Sequence, residues 1–190
     1  MIIDAFKIPL FQSTLGLDAD NISKYCLELK HKNKGRNLSN VGGWQSNDLT
    51  GVHMPLNELF KKIVENVQIF SEQLKIKSKL TIDNIWVNIN DYKDFNLQHI
   101  HPNTLISGIY YIQTPEDCGD LELIHPCSNF DYDWRADNFT EYNEYNSLNY
   151  VIKPQSDLLV LFPGYLPHFV KPNLNRNQSR ISISFNSTYE

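Results

Sequence analysis

The sequence predicts a mainly β fold with N-terminal helices, an α+β arrangement around an antiparallel sandwich or barrel. Three observations carry this. Apolar residues recur at helical spacing only before residue 75. From residue 80 onward, short runs rich in Ile, Val, Leu, Tyr and Trp are separated by Pro, Gly, Asn and Asp clusters. Finally, Ile181-Ser182-Ile183-Ser184-Phe185 alternates strictly, which buries one side of a strand and puts small hydroxyls on the other.

Residues 1–16 read as a β-type entry, with Ile8-Pro9-Leu10-Phe11 extended ahead of a turn. Asp20 has the chemistry of an N-cap, and Ile22, Tyr25, Cys26 and Leu29 follow it as the stripe of an amphipathic helix. The basic stretch Lys30 to Arg36, broken by Asn33 and Gly35, reads as a solvated loop. Gly35 to Gly43 is a polar loop ending in Gly42-Gly43-Trp44. A second helix starts near Pro55, which suits a first turn, and carries Leu56, Leu59, Phe60, Ile63, Val67, Phe70 and Leu74 on one face. Strands are expected over 80–90, 105–113, 119–124, 158–162 and 180–186. Between Cys127 and Asn149 lies a tract dense in Asp, Asn and aromatics, including Phe130, Tyr132, Trp134, Phe139, Tyr142 and Tyr145. It reads as a functional loop near the mouth of the core or as a third packed layer. No repeat and no domain boundary is visible, so one domain spanning 1–190 is expected.

Composition narrows the function classes. With 41 % hydrophobic and 21 % charged residues, the chain reads as globular rather than disordered. A net charge of −5, spread without long runs, leaves no footprint for nucleic acid. No apolar run reaches the roughly 18 residues of a membrane span, and no signal-peptide pattern opens the chain. Cys26, Cys118 and Cys127 form no CxxC pair and are odd in number, against a disulfide scaffold or zinc ribbon. A reducing, cytoplasmic setting follows as the expectation, with homo-oligomerisation left open.

The chemistry gathers on three of the six histidines. In Gln98-His99-Ile100-His101-Pro102 two imidazoles sit two residues apart, so an extended backbone turns both to one side. His168 follows Leu159-Val160-Leu161-Phe162-Pro163-Gly164, a buried run leading into a turn. In a jelly roll, distant strands lie side by side at the open end and the three rings could meet. Imidazole suits iron, zinc, copper or nickel, and the spacing alone also fits zinc hydrolases and cupins. His31 and His53 lie in polar stretches without partners; His125 ends a strand and reads as structural. Arg180 and Ser182, two apart on a strand, share a face. An arginine inside a barrel needs an anion, and a planar carboxylate matches its fork.

In order, Trp86-Val87-Asn88, His99-x-His101, Ser107-Gly108-x-Tyr110-Tyr111, Gly119-Asp120-Leu121-Glu122-Leu123, Leu161-Phe162-Pro163-Gly164-x-Leu166-x-His168 and Arg180-x-Ser182-x-Ser184-Phe185-Asn186 make up a recognisable set. Together with Gly42-Gly43-Trp44-Gln45-Ser46, the set resembles the 2-oxoglutarate/iron(II) oxygenases of marine bacteria and their phages. The likeness covers nearly the whole chain, the tract 128–149 being its variable part. It implies a double-stranded β-helix, the cupin-like jelly roll, and an oxidoreductase using iron(II), 2-oxoglutarate and O₂ on an unidentified substrate. It implies that His99 and His168 are iron ligands. Arg180 with Ser182 would hold the distal carboxylate of 2-oxoglutarate. Tyr110 would add a hydroxyl, with Tyr111 as the alternative because strand alternation turns only one inward, and Asn88 is a further candidate. The wider superfamily carries His-x-Asp or His-x-Glu plus a distal His. Here His101 stands at the carboxylate position, so His99, His101 and His168 together are the expected metal-binding and catalytic set. The alternatives are that His101 turns aside to hydrogen-bond a bound water, or that Glu122 on a neighbouring strand supplies a carboxylate. Rival readings are a three-histidine dioxygenase that uses no 2-oxo acid, and a non-catalytic jelly-roll binding or structural protein.

Overall fold

In a computed structural model describing residues 1–3, 5–49, 56–127 and 139–190, Asp18 rather than Asp20 caps the first helix, α1 (Ala19–Lys32). The Asp18 carboxylate accepts the Asp20 N–H at 3.1 Å, so Asp20 falls in the first turn, where its charge meets the helix N-terminus. Ile22 and Cys26 are buried, as their spacing requires. The second helix, α2 (Leu56–Gln73), buries Leu56, Leu59, Ile63, Val67 and Phe70, while Leu74 lies beyond its end. Pro55 and His53, and the aromatics Phe130, Tyr132 and Trp134, lie outside the described residues.

Among the described residues the strands form two antiparallel sheets. The larger takes β1 (Phe11–Thr14), β3 (Trp44–Gln45), β4 (Leu80–Asn90), β6 (Ile106–Gln113), β9 (Leu158–Pro163) and β11 (Arg180–Tyr189), in the order β1-β9-β6-β11-β4-β3. The smaller takes β2 (Asn40–Val41), β5 (Phe95–His99), β7 (Leu121–Ile124), β8 (Asn149–Ile152) and β10 (His168–Val170), in the order β2-β5-β10-β7-β8. Apart from β3 beside β4 and β7 beside β8, sheet neighbours are non-consecutive, which gives the crossed connections of a double-stranded β-helix.

Strand alternation sorts the core into two layers. One face of the larger sheet sends Val87, Ile89, Leu159, Leu161, Ile183 and Phe185 against α1 and α2. The other face sends Ile109, Tyr111, Val160 and Phe162 toward Leu121, Leu123 and Val170 of the smaller sheet. Burying such an aliphatic side chain stabilises by about 1.5–3 kcal/mol. The helix layer therefore supports a sheet whose opposite face is partly polar: Asn88, Asn90, Ser182 and Asn186 point away from the helices and are still buried. The hydroxyls read from the alternation at 181–185 thus line an interior space rather than the solvent.

Candidate metal and cosubstrate site

Sheet pairing brings the three histidines together. His99 closes β5, His168 opens β10, and the two residues are direct cross-strand partners. His101 lies just past β5, where its backbone N–H donates to the Gly164 carbonyl at 2.9 Å. The ring centroids are 4.3 Å apart for His99 and His168 and 5.1 Å for each pairing with His101. One nitrogen from each ring lies within 4.8 Å of the others, close enough to share one ion.

Two of the rings have their tautomers set by backbone. His99 Nδ1 lies 2.7 Å from the Leu97 carbonyl and His168 Nδ1 lies 2.9 Å from that of Leu166. A carbonyl only accepts, so Nδ1 carries the proton and donates it, leaving the Nε2 lone pair free to bind metal. His101 is held by a hydrogen bond with Asn186, whose Oδ1 accepts from the Ser107 hydroxyl at 2.9 Å. Its ring also stacks on Trp86 at 5.8 Å and 17°. Burial, with the neighbouring imidazoles adding to it, pulls His168 down to about 3 and His101 to about 4. Burial lowers His99 as well, against the opposing Leu97 bond. All three are therefore neutral at pH 7, the protonation state a ligand needs.

The rings open onto a cavity of about 520 Å³ between the sheets, which Arg180, Ser182 and Asn88 also line. Arg180 is 1 % exposed. Its Nη1 donates to the carbonyls of Cys118, Gly119 and Lys171, and burial draws the guanidinium below its ordinary value. Nη2 is buried without a partner, as is the hydroxyl of Tyr111. The two side chains are near enough that the charge of Arg180 acts on Tyr111. A buried cation held along one edge, with a free N–H and a free hydroxyl nearby, fits a carboxylate, because leaving such groups unpaired costs several kcal/mol. Asn88 donates from Nδ2 to the Ser184 hydroxyl at 3.0 Å and belongs to the cavity wall.

Three expectations need correction. Tyr110 does not face the cavity: it packs in the helix-side core, and its hydroxyl donates to Asp157 at 2.9 Å. Alternation makes Tyr111 the inward residue. Glu122 pairs across from Phe169, one residue out of phase with His168, and its carboxylate is taken by Lys171 and by Asn149. It is not a donor to the histidine cluster. The stretch Lys30–Arg36 is solvated over His31–Lys34 but is not all loop: Lys30–Lys32 end α1, and Arg36 lines the cavity. Sequence reading also missed roles for Trp86 and Asn186, although both stood in the recognised motifs. His125 is absent from the described cavity wall and accepts the Cys127 N–H at 3.2 Å.

A family model described as "Putative 2OG-Fe(II) oxygenase" matches residues 84–186, which hold all three histidines and Arg180. The chain belongs to this family. It is accordingly a 2-oxoglutarate-dependent oxygenase by family, with iron(II), 2-oxoglutarate and O₂ as its cofactor and cosubstrates. No curated protein matches the chain. Similar solved structures include a Pseudomonas putida prolyl-4-hydroxylase, with TM-score 0.63, 14 % identity, and 96 % of this chain and 94 % of that one covered. A viral collagen prolyl hydroxylase from Paramecium bursaria Chlorella virus-1, in its 2-oxoglutarate complex, gives 0.61, 14 %, 94 % and 94 %. HygX from Streptomyces hygroscopicus, with nickel and 2-oxoglutarate bound, gives 0.61, 9 %, 96 % and 83 %. These likenesses establish the double-stranded β-helix. Among the described residues no helix is long and apolar enough to cross a membrane.

Proposed function

We propose that this oxygenase hydroxylates its substrate with iron(II) held by His99, His101 and His168, and that Arg180 and Tyr111 clamp the distal carboxylate of 2-oxoglutarate. The observation that carries the reading is the convergence of three neutral imidazoles on a cavity whose wall also holds a buried arginine with an uncommitted Nη2. When bound, iron(II) with 2-oxoglutarate and O₂ supplies the oxidising chemistry, in which the 2-oxo acid is decarboxylated to succinate as the substrate is hydroxylated.

The protein's share is placement and exclusion of water. Leu97 and Leu166 carbonyls fix the ring orientation of His99 and His168, and Trp86 with Asn186 fixes that of His101. Three backbone carbonyls lock Arg180 before any ligand arrives, so little ordering remains when the carboxylate binds. Ser182, directly opposite Tyr111 in the ladder, adds a hydroxyl on the same face. Phe162 packs edge-on to His168 at 4.8 Å and shields that side from solvent.

The test is spectroscopic. Purified protein given iron(II) and 2-oxoglutarate without oxygen should develop the weak visible charge-transfer band of a chelated 2-oxo acid. Bound iron with a featureless spectrum would replace this reading with a three-histidine dioxygenase that uses no 2-oxo acid. Failure to take up iron at all would leave a binding or structural jelly roll.

A further inference from the structure

The charge of the cavity wall restricts the substrate. Arg36 and Arg180 are the formally charged side chains that line it among the described residues, and no Asp, Glu or Lys does, in a chain whose net charge is −5. On the reading proposed above, on which this inference rests, a divalent ion on three neutral imidazoles is balanced by a dianionic cosubstrate. Arg180 is then engaged by the cosubstrate, whereas Arg36, ion-paired to Asp48 through Nη2, keeps an uncommitted Nε.

Arg36 is placed by an isolated bridge between its backbone and that of Gln45. Its Nη2 meets Asp48 at 2.6 Å, and its guanidinium lies 5.8 Å from the centre of the Trp86 ring. Asp48 does not reach Nε, which is buried without a partner. Asn84, two residues from Trp86 on the same face of β4, presents a buried Oδ1 that also has no partner. Trp86 in turn stacks on His101, so Arg36, Trp86 and His101 form a ladder that leads to the histidine cluster. Elsewhere the wall is uncharged and mixed, with Asn88, Gln98 and Ser184 set among apolar Leu97, Ile100, Phe162 and Val170.

We propose that the Arg36 end of the cavity is a subsite for an anionic group of the substrate, with Arg36 Nε–H as donor and Asn84 accepting from a neighbouring hydroxyl or amide. The substrate class is a small acid, a carboxylate or a phosphate ester, and cationic molecules are rejected. A free buried N–H on a cation selects an anion because charge-assisted hydrogen bonds are about twice as strong as neutral ones.

Nuclear magnetic resonance of arginine Nε–H groups tests this without turnover. The chain has Arg36, Arg135, Arg176 and Arg180, and loss of one peak in Arg36→Gln assigns the resonance. Arg36→Lys removes the same peak and keeps the charge if the first variant does not fold. Acetate, inorganic phosphate and the neutral isostere acetamide are titrated into metal-free protein and into protein loaded with zinc(II) and 2-oxoglutarate. The expected result is that acetate or phosphate shifts the Arg36 peak in both states, at least tenfold more tightly than acetamide. Tighter acetate binding assigns a carboxylate substrate and tighter phosphate binding a phosphate ester. Equal response to acetamide, or an unmoved Arg36 peak, overturns the subsite. Because the metal-free protein is titrated too, the outcome at Arg36 does not depend on the iron charge-transfer band: a missing band with a responsive Arg36 defeats the cosubstrate reading alone.

Discussion

His101 is the residue on which the donor set turns. Two imidazoles would leave four positions of a six-coordinate ion to water and cosubstrate, a weak hold on a labile metal; the third ring completes one face. His101→Ala is therefore expected to lose iron as His99→Ala and His168→Ala do, with metal content after anaerobic loading as the measurement. Full occupancy in His101→Ala would remove it from the ligand set. The two adjacent tyrosines make a second, paired case. Tyr111→Phe removes an unpartnered hydroxyl near Arg180, and a bond to a charged group contributes about 1.5–3 kcal/mol. Its 2-oxoglutarate affinity, by titration of the visible band, is expected to fall roughly tenfold or more. Tyr110→Phe loses the bond to Asp157, which also holds the Gly16 N–H at 2.8 Å. It should lower stability by about 1 kcal/mol and leave cosubstrate affinity in place. The reverse pattern would return the role to Tyr110.

At the scale of the element, β11 shows how one strand serves the core and the site together. Ile181, Ile183 and Phe185 anchor it to the helix layer, while Arg180, Ser182, Ser184 and Asn186 line the cavity. Its partner β6 must leave room for this. Gly108 lies directly across from Phe185, and a Cβ there would meet that ring at 2.1 Å. Phe185 is fully buried and has no free space to retreat into. Gly108→Ala is expected to destabilise the protein by about 1–3 kcal/mol, as overpacked cores do, in chemical denaturation. An unchanged midpoint would show that the ring can give way. Phe185→Leu in the same background should recover part of the loss.

For the molecule as a whole, the histidine cluster imposes a pH dependence on the metal-free protein. Folded His101 and His168 titrate at about 4 and about 3, against an ordinary value of 6.5 in the unfolded chain. The unfolded state thus binds more protons between those limits, and stability rises with pH there. The contribution is fully present above pH 6.5 and is lost as pH falls through the folded values. Thermal midpoints of metal-free protein are expected to drop from pH 7 toward pH 4, with a shallower slope in His168→Ala. Asp91 and Asp157, both held below the ordinary carboxylate value by hydrogen bonds despite their burial, contribute their loss only in more acid solution. A flat profile down to pH 4.5 would mean that the rings are better solvated than their packing indicates.

Much of this was legible in one dimension, because local periodicity is local physics. Helical stripes, strand runs such as 80–90 and the 181–185 alternation depend on neighbours within a few positions, and they appear where expected. His99-x-His101 and Arg180-x-Ser182 were readable for the same reason: two-residue spacing on extended chain sets the facing of side chains. The short strands β2, β3, β8 and β10 carried too few residues to show a period. What tertiary structure decided depends on register between distant segments. Pairing of β6 with β11 put Tyr111 beside Ser182 and turned Tyr110 toward Asp157. Pairing of β7 with β10 set Glu122 opposite Phe169 and out of phase with His168. A single bridge to Gln45 carried Arg36 from an apparently solvated run into the cavity wall. Slipping a strand by one residue reverses every side chain on it. Facing within a strand therefore follows from sequence, whereas the partner that each face meets is settled only by the folded sheet.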